Sequence, residues 1–396
     1  MILIDQPVWP AHGTLWSHVV SDRSFDELHA FARRLGIPSR GFDRDHYDVP
    51  SDRYAAVVAA GARPVSSREL VAALSAAGLR RRRGVGPGRR APGQELLRPG
   101  RLVSGDVVAV VAPAGPVPSD ELAAGIAVLE SWGLSVRMAA HVHGRHPRLE
   151  HLAAPDADRA GDVVDAWCAP EVAAVWVARG GSGCHRLVDR LDWPAMAQAG
   201  RRLLVGFSDV TALHEAVAQR LGLVTVHAPV LTSLGNSEPA TQDQVRRLLF
   251  EPDSARELLA GMSTVTGGAA DGVLHGGNLR TLTASLGTRA ARPARGSIVV
   301  IEDVGEQAFR VDGMLTQLIR AGWFDGVRGV VAGAFTDTGG SDVDSVVAYR
   351  LGALGVPMVN GARVGHIPDN QPLPLGVPAR LDADAGTLVL TRPALA

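Results

Sequence analysis

Residues Leu203-Leu204-Val205-Gly206-Phe207-Ser208-Asp209-Val210-Thr211-Ala212-Leu213-His214 form an apolar run that breaks at Gly-x-Ser-Asp and resumes with helical spacing. The pattern reads as a buried strand, a sharp turn and a helix, with one serine on the turn. Such a unit belongs in a parallel sheet, where a strand ends at the crevice above the sheet edge. The serine also precedes a helix whose first N–H groups have no intrahelical acceptor. The residues alone leave two readings of Ser208, a helix N-cap or a nucleophile.

The same rhythm surrounds that unit. Asp106 to Ala112 reads as a strand, Asp120 to Trp132 as an amphipathic helix and Ser135 to Ala139 as a strand. A helix near Asp156 to Cys168 then leads to a strand over Ala173 to Arg179, which ends in Gly180-Gly181-Ser182-Gly183. Alternation of this kind predicts a parallel, doubly wound sheet. After Leu234 come glycine turns, strands at Ser297 to Ile301 and Val327 to Ala334, and a helix at Asp312 to Ala321 between them. Short strands and turns over Pro374 to Thr391 follow. The predicted class is therefore α/β, with a parallel Rossmann-like nucleophile subdomain over 98–240, a connector over 241–270 and a smaller β-rich α/β C-terminal subdomain over 271–396.

Residues 1–80 read as a separate small α/β domain. It has a strand at Ile2 to Ile4 and a helix carrying Phe25, Leu28, Phe31, Ala32 and Leu35, opened by a Ser24/Glu27 capping-box pattern. Two further helices are expected near Arg53 to Ala60 and Ser67 to Ala77. An Arg/Gly/Pro-rich stretch, Arg80 to Gly93, breaks the apolar periodicity and marks a linker over 81–97.

Composition narrows the function classes. Across 396 residues, 40 Lys+Arg stand against 41 Asp+Glu, so no overall field favours nucleic acid or an anionic membrane. The first residues lack a basic region ahead of an apolar core, and no apolar run is long enough for a bilayer. Only Cys168 and Cys184 are present, which argues against a disulfide scaffold and for a cytoplasmic address.

A serine nucleophile needs a base, commonly a histidine, oriented by a carboxylate. Glu302 ends the apolar run Val299-Val300-Ile301, where a carboxylate is costly to bury without a partner, and His366 lies among glycines and prolines in Val364-Gly365-His366-Ile367-Pro368. Taken singly, Glu302 also suits a salt bridge and His366 a loop hydrogen bond. Oxyanion donors would come from the backbone N–H groups of Gly181 and Asp209, whose turns open on one edge of a parallel sheet. The Ser208 turn departs from the usual Gly-x-Ser-x-Gly elbow, with Val210 in place of the second glycine.

These stretches carry a resemblance. Gly105-Asp106, Arg179-Gly180-Gly181, Gly206 to His214, His227-Ala228-Pro229, Gly276-Gly277-Asn278-Leu279, Glu302-Asp303 and Gly365-His366 occur in the order of the LD-carboxypeptidase family, which also contains the microcin C immunity hydrolases. The resemblance spans residues 98–393. It implies a serine peptidase with a Ser208-Glu302-His366 triad and no metal or organic cofactor in the catalytic half. It also implies a cytoplasmic homodimer that removes the terminal D-alanine from murein tetrapeptides at an L-to-D amide during cell-wall recycling. Ser182, Ala228 and Gly313 depart from residues common at those places in the family, which bears on substrate contacts. Ser182 and His227 are expected to line the pocket, and Arg179 and Arg310 are candidates for the substrate carboxylate. The alternative within the family is a peptidyl- or aminoacyl-nucleotide, whose base would stack on Trp176, Trp193 or Trp323. A more distant rival is a non-catalytic nucleotide-binding module built on Gly181-Ser182-Gly183.

Two other groups could hold a metal: the loop histidines His141, His143, His146 and His151, and an N-terminal set of Asp5, His12, His18, Asp22, His29, Asp45, His46 and Asp48. The first is expected as an exposed loop. The N-terminal domain resembles an uncharacterised family of short bacterial domains through Trp16-Ser17-His18, Glu27 to Ala32 and Asp45-His46-Tyr47-Asp48, which implies no activity.

Overall fold

The structure is a computed structural model that describes residues 1–11, 14–38, 41–43, 45–77, 79 and 93–396. His12 and linker residues 80–92 fall outside that set. The chain forms two compact units, Met1–Gly88 and Arg89–Ala396. Among the described residues no helix is long and apolar enough to cross a membrane.

The first unit is a sheet with helices. Its strands are β1 (Ile2–Ile4), β2 (Trp9–Ala11), β3 (Thr14–Ser21), β4 (Phe42–Asp43), β5 (His46–Pro50) and β6 (Arg63–Pro64), in the order β4-β5-β3-β1-β6 with β2 on β3. Helices span Phe25–Arg34, Tyr54–Ala59 and Ser67–Ala76. Strands β3 and β5 escape the sequence reading. In β3, Val19 packs under Leu28 and Phe31 while Val20 packs against Leu70 and Leu74 on the other face, so burial on both sides erases the period-two pattern. The capping box differs from expectation too. Ser24 accepts the Glu27 N–H at 3.2 Å, but the Glu27 carboxylate turns to Ser21 and the N-terminal amine instead. A complete box forms at Ser66 and Glu69.

The second unit contains two sheets. Strands β7 (Val107–Val111), β8 (Ser135–Met138), β9 (Val172–Val177), β10 (Leu203–Gly206) and β11 (Thr225–His227) are parallel, in the order β11-β10-β9-β7-β8. The strand order reverses at β7, with β8 on one side and β9 on the other, so a crevice opens at the C-terminal strand ends beside it. The second sheet runs from β12 (Glu257–Leu259), β13 (Ser263–Thr266) and β14 (Ala269–Asn278) through β15 (Ser297–Val304), β16 (Gly329–Thr336) and β17 (Met358–Asn360). β18 (Leu373–Leu375) leaves that run to pair antiparallel with β11, and β19 (Pro378–Asp382) and β20 (Thr387–Leu390) complete the second sheet. Residues 241–270 thus carry most of a helix, Pro239–Phe250, and two edge strands.

Apolar layers cover both faces of the parallel sheet. Val108, Val110, Trp176 and Val205 face one, and Ala109, Val111, Val175 and Leu204 face the other. Trp176 is fully buried and its indole N–H reaches the Pro229 carbonyl at 3.0 Å. Truncating such a side chain costs about 3–5 kcal/mol. The helix Thr211–Arg220 is buried from Thr211 through Gln219, because it is packed between the two sheets of this unit. That burial is why its sequence shows little amphipathic contrast.

Candidate active site

β10 carries the chain into a single 3-10 turn, Ser208–Val210, and then into the helix Thr211–Arg220. Ser208 has φ +67°, and among the described residues only Asp337 shares a left-handed backbone without being glycine. Such strain costs on the order of 1–3 kcal/mol and persists where neighbours enforce it. Here the turn is enforced from β9: a Cβ at Gly180 would lie 3.0 Å from Ser208 Cβ and 3.2 Å from its Oγ. The carboxylate of Asp209 also accepts the Cys184 N–H at 2.8 Å and ties the two strand-end turns together. Ser208 is not the helix cap, since Phe207 and Val210 occupy the cap positions of the two helical segments without side-chain cap bonds.

The serine hydroxyl instead meets His366, whose Nε2 lies 3.0 Å from Oγ. His366 Nδ1 lies 2.8 Å from Glu302 Oε2. Glu302 sits inside β15, which runs three residues past the expected end at Ile301 and pairs with Asn278 of β14. Its carboxylate is fully buried, and Oε1 has no hydrogen-bond partner. The ring reaches it because Gly365 has φ +126° and a Cβ there would fall 2.9 Å from Glu302 Cβ. The structure thus brings Ser208, His366 and Glu302 together from β10, the loop after β17, and β15.

Electrostatics around His366 are lopsided. Burial works against its charged form, yet the hydrogen bond and charge of Glu302, with Asp303 and Asp337 beyond, outweigh it and raise the imidazole above its ordinary pKa. Asp303 is pushed up to about 6 by burial and the Glu302 charge, against hydrogen bonds from the Val304 and Arg280 N–H groups and Asn278. His227 is buried, held down to about 3 by desolvation and the nearby His214 and His366 rings, and packs 5.5 Å from Phe207. His214 is held to about 4 by burial and shares a hydrogen bond with the Gly206 carbonyl at 2.8 Å. Both therefore stay neutral near pH 7. Burial drives the Cys184 thiol well above its ordinary value, which leaves no thiolate there.

The remaining candidates spread out. Gly181 and Ser182 are exposed on the β9 turn. Arg179 donates to the Pro116 carbonyl at 2.6 Å, and Arg310 stands 3.7 Å from Glu306. Trp176, Trp193 and Trp323 are occupied in packing, with Trp193 bonded to the Val188 carbonyl and Trp323 tilted against His275 and edge-on to Phe324. His141 pairs with Asp162, and His146 accepts the N–H groups of Arg148 and Leu149. Sequence reasoning missed the Asn278–Asp303 pair behind Glu302 and the buried Glu215, bonded to His275 at 2.9 Å with Arg292 at 3.6 Å. The adjacent acids Glu302-Asp303 in an apolar strand were the available signal for the first. Glu215 gave none, because it lies in a helix buried all round.

Known proteins match both units. The LD-carboxypeptidase N-terminal domain matches residues 108–228 and the LD-carboxypeptidase C-terminal domain matches residues 271–381. Residues 2–77 match a family described only as protein of unknown function, DUF4031. A Streptomyces coelicolor protein whose name assigns it only provisionally as a carboxypeptidase is 50% identical over 76% of this chain and 98% of its own length. The murein tetrapeptide carboxypeptidase of Pseudomonas aeruginosa is 33% identical over 70% of this chain and 93% of its own. A solved structure of the microcin C7 self-immunity protein MccF covers 76% of this chain and all of its own at TM-score 0.69 and 22% identity, a likeness of fold. With one relative half identical along nearly its whole length and both domain families matched in order, this chain belongs to the LD-carboxypeptidase family.

Proposed function

We propose that the second unit is a serine carboxypeptidase that hydrolyses the L-to-D amide of murein tetrapeptides and releases D-alanine. The observation that carries this reading is the continuous contact from Ser208 Oγ through both nitrogens of His366 to Glu302, at 3.0 and 2.8 Å. Ser208 Oγ attacks the scissile carbonyl carbon while His366 Nε2 takes its proton. Glu302 holds the Nδ1–H tautomer and stabilises the imidazolium. His366 then returns the proton to the departing amine as the C–N bond breaks, leaving the peptide acylated on the serine. Water, deprotonated by His366, cleaves that ester and restores the hydroxyl. The backbone N–H groups of Gly181 and Asp209 are assigned to the oxyanion, where loss of one donor typically costs about 3–4 kcal/mol.

The murein substrate rests on the Pseudomonas relative's name, and the reaction would serve cell-wall recycling in the cytoplasm. Engagement of the three tryptophans in packing argues against a stacked nucleobase. The test is D-alanine release from a murein tetrapeptide by wild type and Ser208→Ala. Loss of about 10⁴- to 10⁶-fold in kcat is expected. Wild-type turnover by the variant would overturn the triad, and faster turnover of a peptidyl-adenylate would overturn the substrate.

A further inference from the structure

The unit formed by residues 1–88 contains a second convergence of imidazoles and carboxylates. In the β3–β5 ladder His18 lies directly opposite Asp48, and His46 precedes Asp48 by two residues. The pleat therefore places all three on one face of the sheet. Their closest ligand-type atoms lie within 4.8 Å of one another, and the two rings meet edge to face at 4.8 Å.

Each ring is oriented from behind by a buried carboxylate. His18 Nδ1 lies 3.0 Å from Asp5 Oδ2, and His46 Nδ1 lies 2.7 Å from Asp45 Oδ1. Asp5 is itself fixed by the Ser67 hydroxyl at 2.7 Å and the His18 N–H at 2.6 Å. With Nδ1 of each ring held by its backing carboxylate, Nε2 is the nitrogen turned to the site, and both Nε2 atoms face Asp48 Oδ1, at 3.8 Å for His18 and 3.3 Å for His46. A carboxylate behind each imidazole is how metal-binding histidines are held.

We propose that His18 Nε2, His46 Nε2 and the Asp48 carboxylate bind one divalent transition-metal ion, with zinc as the ion that suits the donor set. A tetrahedral zinc with bonds of about 2.0–2.1 Å separates its donors by about 3.3 Å, so small side-chain rotations close the site. Three protein ligands leave a coordination position open, the arrangement of a working rather than a purely structural zinc. Asp48 has 42% of its side chain exposed, and the open side faces a cleft of about 600 Å³ with walls of Trp9, Trp16, Ile37 and Pro38. That cleft gives a bound metal access to a ligand with an apolar or ring portion.

The test uses the full chain, stripped with chelator and titrated with zinc chloride in a calorimeter. One equivalent is expected to bind, and Asp48→Asn and His18→Gln/His46→Gln should each weaken it by about 100-fold or more. Zinc-edge X-ray absorption of the wild type, which needs no variant to fold, should show nitrogen and oxygen neighbours at about 2.0–2.1 Å without sulfur. Absence of a bound equivalent in the wild type, sulfur at the metal, or an equivalent retained by the folded double variant overturns the site.

Discussion

Both units of this chain set imidazoles against buried carboxylates, and the difference lies in what the far nitrogen meets. In the catalytic unit Glu302 backs His366, whose Nε2 touches the hydroxyl of Ser208. In the N-terminal unit Asp5 and Asp45 back His18 and His46, whose Nε2 atoms converge on Asp48. A hydroxyl can give up a proton, so under the proposed mechanism His366 becomes charged in every turnover and needs a carboxylate that tolerates that charge. Glu302 Oε1 has no partner, which leaves that carboxylate's charge to be answered by the imidazolium. A carboxylate at the far side gives no proton, so in the proposed site His18 and His46 serve as metal ligands and not as bases. The backing group does electrostatic work in one unit and orientation in the other.

Glu302→Gln is the sharpest way to break that contrast. It keeps the shape but reverses the tautomer and removes the charge, so kcat should fall by about 10⁴-fold, read as D-alanine release. A loss of tenfold or less would mean that Glu302 only orients. Gly365→Ala acts next. Its Cβ would meet Glu302 Cβ at 2.9 Å and Oε2 at 3.0 Å on a left-handed backbone, and displacing the ring should cost on the order of 10²-fold in kcat/KM. Thermal unfolding of the variant separates this from loss of fold. Asp5→Asn should do less: a drop of about 10-fold to 100-fold in zinc affinity, measured by calorimetry. A loss as large as that of a ligand variant would place Asp5 among the ligands.

How much of this can be read from sequence depends on how far apart the cooperating residues lie. The Ser208 turn is legible because Leu203 to His214 contains the whole strand, turn and helix. The parallel sense of β7 to β11 follows from the alternation of strands and helices, whereas their order in the sheet does not. Glu302 is visible as a costly carboxylate after Ile301, but its place inside β15 is not. The acids at 302 and 303 interrupt the apolar run, and their compensation by His366 and Asn278 comes from distant segments. The tight approach of Gly365 to Glu302 is likewise tertiary. In the N-terminal unit the polar residues stand out, yet their sorting depends on the register of β3 against β5. That register sets His18 opposite Asp48, whereas His29 goes to Tyr47 and Asp22 to the chain's amino terminus.

The smallest expected effect concerns Asp303, which lies behind Glu302 and is pushed up to about 6. His366 must be neutral to take the serine proton, so kcat/KM falls on the acid side as the ring protonates. Because the ring's pKa is raised, that limb should lie above the ordinary histidine value of about 6.5. By linkage, the ring's contribution to stability is full below that value and is lost as pH rises through the folded pKa. Protonating Asp303 removes a negative charge near the ring and makes the ring harder to protonate. The two titrations therefore oppose each other over the same range and broaden the limb. Asp303→Asn removes both the charge and the competing proton, with Glu302, Asp337 and His227 still around the ring. Its limb should sharpen to a single-proton step and move to lower pH by about one unit or less. The variant also replaces an acceptor of the Val304 and Arg280 N–H groups, at a cost of about 1–3 kcal/mol in stability. A kcat/KM profile that coincides with the wild type would show that Asp303 does not share its field with His366, and would confine its role to holding Asn278 and the start of the helix Leu279–Ala284.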